Sequence, residues 1–179
     1  MLEKIPSVIG EALHGLRAGA EKTAGVHSFP ESPSTITVTS DSFVEGGPIP
    51  PTHTADGAGI EPPLRWSGCP AGTAEVVVFA EDADSPTPRP LVHLIAYGLP
   101  AKGGSNQGVG GRGLNSFGKA AFLPPDPPSG HGPHRYHFVV FALGEPSGLS
   151  GEPGRSATLD AMRGKVLAKG VLIGTCERP

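Results

Sequence analysis

The sequence predicts a mostly β protein, an antiparallel sandwich with an appended N-terminal helix, and three observations carry that expectation. Short β-branched, apolar and aromatic runs recur from Thr35 onward. The stretches between them are dense in turn formers, with 27 glycines and 21 prolines in 179 residues. They also lack the regularly alternating helices that a parallel βαβ sheet requires.

Residues 36–39, 76–79, 91–99 and 136–143 read as strands. Near the end, Leu159, Met162, Val166 and Leu167 fall at spacings of three and four, predicting a short helix over 159–169 before a closing strand at 170–174. At the start, Leu2, Ile5, Ile9, Ala12, Leu13 and Leu16 make an apolar stripe, predicting an amphipathic helix over residues 2–22. Residues 23–34, with Gly25, Pro30 and Pro33, read as a linker. The expected organisation is therefore a helix and linker over 1–34 and a β-sandwich domain over 35–179. Burying the stripe requires a partner surface, either the chain's own sandwich or a second copy. A two-fold homodimer is the expected use, because closed two-fold pairs are the commonest homo-oligomers.

A net charge of −3 gives no cationic field for nucleic acid or an anionic membrane. No apolar run approaches the ~20 residues that span a bilayer. The opening residues lack a signal peptide's uninterrupted apolar stretch, so a cytoplasmic location is the expectation. Cys69 and Cys176 match no metal-ligand spacing and are expected to be reduced thiols.

Period-two geometry aligns Val76, Val78, Ala80 and Asp82 on one face, with Asp82 at the strand end, where a carboxylate lines a pocket or starts a turn. The same rule puts His93 beside Leu91, Ile95 and Tyr97, and His134 beside Tyr136, Phe138 and Val140. The proline-dense stretch 124–133 must be a stiff loop, well suited to a pocket rim. His131, His134 and His137 resemble a zinc ligand set only superficially, since His134 and His137 fall on opposite strand faces; no metal and no other cofactor is expected. Residues 108–113 satisfy G-x-G-x-x-G, but no strand precedes and no helix follows, so they read as a surface loop.

Several segments jointly resemble the phosphatidylethanolamine-binding protein family, in its bacterial, Raf-kinase-inhibitor-like branch. They are Thr54-Ala55-Asp56-Gly57, Pro62-Pro63-Leu64-Arg65-Trp66-Ser67, Asp82-Ala83-Asp84-Ser85-Pro86, Asn115-Ser116-Phe117-Gly118-Lys119, and the run from Pro125 through His131 to Tyr136. The stretch 161–168 resembles that branch's closing helix. Ala83, Leu94, Phe122, Leu123-Pro124 and Lys165 depart from the family's usual residues. The resemblance implies a Greek-key β-sandwich with a ligand pocket at one end, lined by Asp82, His93 and His134. Tyr136 and the rim prolines Pro86, Pro127 and Pro128 match pocket-associated positions.

A protonated His93 or His134 can offer charge and N–H donors to a phosphate or carboxylate oxygen, and Tyr136 adds a hydroxyl. Asp82 fits beside an anion if it orients a histidine or shares a proton. The expected function is a binding protein for a small anionic or phosphorylated ligand, such as a phospholipid head-group or a phosphomonoester. No motif positions a nucleophile, so an enzyme is not expected. The resemblance also implies an alternative, an interaction module that inhibits or scaffolds a kinase or protease.

Overall fold

The computed structural model describes residues 7–13, 15–102, 104–105 and 109–179, with the backbone alone at 7–9, 104 and 105. Eight strands are present among them. A three-stranded sheet has the order β1-β2-β5, from Thr37–Ser40, Leu64–Ser67 and Gly104–Ser105. A five-stranded sheet has the order β6-β4-β3-β7-β8, from Gly111–Arg112, Leu91–Leu99, Glu75–Asp82, His134–Leu143 and Val166–Cys176. Every pairing between these strands is antiparallel. The molecule is mostly β, as the strand-like runs predict.

The larger sheet is covered on both faces, which explains why every residue of β3 is buried. On its inner face Val76, Val78, Ala80, Phe138 and Val140 meet Val38, Leu64 and Trp66 of the smaller sheet. The outer face carries Val77, Phe79, Val139 and Phe141, packed with Leu159 and Met162 of α2, Arg155–Met162, and with Ala24 and Phe29. Strands buried on both faces read as continuous apolar runs rather than as alternation.

The N-terminal segment differs from its expectation. The described helix, α1, spans Ser7–Leu13 and does not continue to residue 22; Leu2 and Ile5 of the expected stripe lie outside the described residues. Gly15 and Gly19 interrupt helical continuation, Gly19 with a φ of +104° that side-chain-bearing residues rarely adopt. Residues 23–34, expected to be a linker, instead include a π-helical turn over Ala24–Ser28, and Ala24 and the Thr23 that precedes it are fully buried. The physical reason is the outer apolar face of β3 and β7, which needs a cover. Ala24 and Phe29 supply part of it, Phe29 meeting Phe141 edge-on at 5.4 Å. Lys169 Nζ fixes the turn by donating to the Gly25 and Phe29 carbonyls at 2.6 and 2.7 Å.

The C-terminal helix is displaced as well. It ends at Met162, and Val166 and Leu167 begin β8. Gly164 lies between them at φ +73°, a conformation that stops the helix. Pairing of β8 along ten positions of β7 then outweighs the weak helical spacing.

Candidate functional site

The inner faces of β3, β4 and β7 run out beside a cavity of about 420 Å³, and Asp82, Pro86, His93, Pro127, His134 and Tyr136 line it. Pro128 does not: it is buried beneath the rim, where its carbonyl accepts from the His131 N–H at 3.2 Å. Asp82 opposes Tyr136 across the β3–β7 ladder, so strand alternation places both, with His134, on one face.

His93 reaches this face only through a β-bulge. Ala80 pairs with Leu94 while Glu81 pairs with Val92, leaving one extra residue on β4. Strict alternation would set His93 on the outer face with Ile95 and Tyr97. The bulge reverses the phase, so Val92 joins the outer cluster and His93 lines the cavity.

Asp82 both starts a turn and lines the cavity: its Oδ1 accepts from the Asp84 N–H at 2.9 Å. Its Oδ2 lies 2.8 Å from His134 Nδ1. His134 Nε2 lies 2.7 Å from His131 Nδ1, and His131 Nε2 points at the carbonyls of Leu13 and Leu16, at 2.8 and 3.1 Å. All three side chains are buried. Both ring nitrogens of His134 are thus occupied within the chain, although its ring lines the cavity.

The polar atoms left facing the cavity are elsewhere. His93 Nδ1 donates to the Leu123 carbonyl at 2.7 Å, while its Nε2 and the Tyr136 hydroxyl are buried without a partner. The two rings meet edge-on at 5.0 Å. Burial holds the His93 pKa below its ordinary value even though Asp82 pulls the other way, so the ring is neutral near pH 7 and Nε2 is a lone pair. Burial, with Asp82 adding to it, raises the Tyr136 phenol well above its usual value and keeps the O–H as a donor. The cavity floor therefore offers one acceptor and one donor.

Around the mouth stand Phe122, half-exposed Phe117 and exposed Lys119. On the far side Arg178 is tied to Asp126 at 2.6 Å and to Asp56 at 2.5 Å, which fixes the rim loop. Below the rim, buried Asp84 accepts from Arg135 through Nε at 2.7 Å, Nη2 at 2.8 Å and the backbone N–H at 2.8 Å, and pairs with Arg17 at 3.1 Å. Burial pushes the Asp84 carboxyl up, but the bonds from Arg135 outweigh it and hold the pKa at about 2. A depressed folded-state pKa contributes stability that is present above the unfolded carboxylate value and lost as pH falls toward the folded one. Asp84→Ala is expected to remove about 1–2 kcal/mol of stability at neutral pH and to flatten the acid limb between about pH 4 and 2, read by denaturant unfolding at several pH values. An unchanged acid limb would contradict that role.

The sequence reading missed His131, the Asp84 cluster and Lys119. For His131 a signal existed: glycines flank it on both sides, and Gly130 and Gly132 adopt φ of +76° and +87°, a left-handed conformation that side-chain-bearing residues rarely take. His137, two strand positions from Arg135 on the opposite face from His134, lies away from the cavity and beside Val139 and Lys169. Among the described residues no group of three His, Cys, Asp or Glu is placed to hold a metal ion, and no helix is long and apolar enough to cross a membrane.

Fold and site together define a two-sheet antiparallel sandwich with an Asp–His cavity beyond the strand ends. Comparison with known proteins places this class: residues 39–177 match the phosphatidylethanolamine-binding protein family. A UPF0098 protein of Mycobacterium tuberculosis is 40% identical over 167 residues, covering 88% of this chain and 80% of its own. The crystal structure of a phosphatidylethanolamine-binding protein homologue from Chlamydia trachomatis is 33% identical, covers 82% of this chain and 99% of its own, and superposes with a TM-score of 0.74. YbcL of Escherichia coli, described as a member of the mammalian family, is 25% identical, with coverage of 82% and 100% and a TM-score of 0.74. The chain belongs to the phosphatidylethanolamine-binding protein family.

Proposed function

We propose that this chain is a binding protein that holds a small anionic or phosphorylated group, such as a phosphomonoester or a phospholipid head-group, in a metal-free Asp/His pocket. The observation that carries the reading is the pair of buried, unpartnered polar atoms on the cavity floor, His93 Nε2 and Tyr136 Oη. Buried polar groups are nearly always satisfied, so an unpartnered pair facing a cavity supports a ligand whose polar atoms complete it. A phosphate oxygen accepts from the Tyr136 hydroxyl. A second oxygen meets His93 Nε2, and one proton lies between them, brought by a monoanionic ligand or taken up by the imidazole. The apolar Phe117 and Phe122 beside Lys119 suit an anionic group with an apolar neighbour. A homodimer through the N-terminal stripe is part of the same proposal, with Leu16 56% exposed.

Isothermal titration with inorganic phosphate and a short-chain phosphomonoester, in the presence of a chelator, tests the binding claim. Saturable one-site binding is expected. Tyr136→Phe is expected to weaken it about tenfold or more without loss of stability, because the removed hydroxyl has no partner in the protein. No heat of binding for either probe, or equal affinity in the variant, would contradict the assignment.

A further inference from the structure

We propose that His131 is a positioning residue through which the N-terminal segment sets the charge of the pocket. The inference deepens the anion-binding reading and its effect on affinity rests on that reading. Three hydrogen bonds run in line, from Asp82 Oδ2 to His134 Nδ1, from His134 Nε2 to His131 Nδ1, and from His131 Nε2 to the Leu13 and Leu16 carbonyls. Each needs one proton. A carboxylate and two neutral imidazoles supply only two.

The carbonyls decide the matter because they can only accept. His131 Nε2 must therefore carry a proton, and a neutral His131 leaves Nδ1 as a lone pair. His134 Nε2 then has to be an N–H, and the remaining proton lies between His134 Nδ1 and Asp82. The chain holds one proton beyond the usual complement and is neutral overall. The Asp82 carboxylate lies against His134, at 2.8 Å from Nδ1, whereas the His131 ring nitrogens meet His134 and the two carbonyls, so the position of the negative charge puts the added proton on the Asp82–His134 pair. Burial, with the His134 and Arg17 charges adding to it, also keeps His131 below the ordinary imidazole pKa.

Without the Leu13 and Leu16 carbonyls the same three groups close their bonds with two protons. His131 can then donate from Nδ1 to His134 Nε2, and His134 from Nδ1 to ionised Asp82, which leaves the pocket one negative charge that repels an anion. The N-terminal segment is held against this site by more than the His131 contact. Arg17 donates to the Pro133 and His131 carbonyls at 3.0 and 3.3 Å and pairs with Asp84 at 3.1 Å, and Ala18 and Gly19 donate to the Ser85 and Ala83 carbonyls.

Among the described residues, the other ionisable groups near these three side chains have partners or charge states of their own. Asp84 is matched by Arg135 and Arg17, and Asp126 by Arg178. Cys176, which opposes His134 across β7 and β8, is raised by burial to about 11, and burial raises the Tyr136 phenol well above its usual value. His93 is held neutral by its own burial.

The test begins on the ligand-free full chain, by nitrogen-15 spectra of the imidazoles near neutral pH. The expected pattern is protonation of His131 at Nε2 alone and of His134 at both nitrogens. His131→Leu removes the acceptor, so His134 is expected to revert to Nδ1 protonation alone and phosphate affinity to fall about tenfold near pH 8, with the deficit shrinking at lower pH as the pocket regains a proton. A singly protonated His134 in the unmodified chain, or a His131→Leu protein with unchanged phosphate affinity and pH profile, would overturn the proposal. The expected nitrogen pattern together with no phosphate binding in the unmodified chain defeats the anion-binding reading and the effect on affinity with it. The nitrogen pattern needs no variant to fold.

Discussion

Replacing Arg155 by alanine is expected to lower the stability by about 3–5 kcal/mol, a large part of a small domain's total. Glu81 is fully buried on the outer side of β3, where its carboxylate accepts from the Ala24 N–H at 2.5 Å and from Arg155 Nε at 2.7 Å. Arg155 Nη2 also donates to the Lys22 carbonyl at 3.0 Å, so one guanidinium ties α2, β3 and the N-terminal segment together. Its loss leaves a buried carboxylate with one backbone donor. Burial already raises the Glu81 pKa, and Arg155 acts against that rise. In the variant the cost is therefore that of the ionised form: it is full above the raised folded-state pKa and shrinks as falling pH protonates Glu81. Urea unfolding at about pH 8 and about pH 5 should show a smaller deficit at the lower pH. Equal deficits would mean that Arg155 acts through packing alone.

The second large effect is on the ligand. His93→Leu is expected to weaken phosphate binding about tenfold to a hundredfold, the worth of one hydrogen bond to a charged group. It should also abolish most of the pH dependence. In the unmodified chain His93 starts neutral because burial lowers its pKa, and a bound anion raises that pKa by pairing with Nε2. Affinity then rises by up to about tenfold per pH unit as pH falls between the two values. A His93→Leu protein that keeps both the affinity and the slope would place the anion elsewhere.

The fold and the site differ in how much of each is legible in the sequence. Strands β3, β4 and β7 are written plainly in β-branched and aromatic runs, and alternation correctly sets Asp82, His134 and Tyr136 on one face. Two kinds of information escape it. Tertiary demand is one: residues 23–34 look like a linker by composition, yet the outer face of the large sheet recruits Ala24 and Phe29 as cover. Val166 and Leu167 likewise suit a helix locally, but pairing with β7 claims them for a strand. The other is phase. A single extra residue in β4 turns His93 from the outer face into the cavity, and no period-two argument encodes where a bulge falls. His131 shows a related gap, because its importance comes from meeting Leu13 and Leu16 more than a hundred residues away.

An anion received by the unpartnered polar atoms of the cavity floor is reported most directly by the His93 ring itself. Phosphate is titrated into the full chain near neutral pH while both His93 nitrogens are observed by nitrogen-15 NMR. Nδ1 is expected to remain an N–H bonded to Leu123 throughout. Nε2 should change from a free lone pair to a hydrogen-bonded or protonated nitrogen, in step with saturation. A His93 Nε2 signal that stays fixed while phosphate saturates the protein would rule out anion binding at this floor.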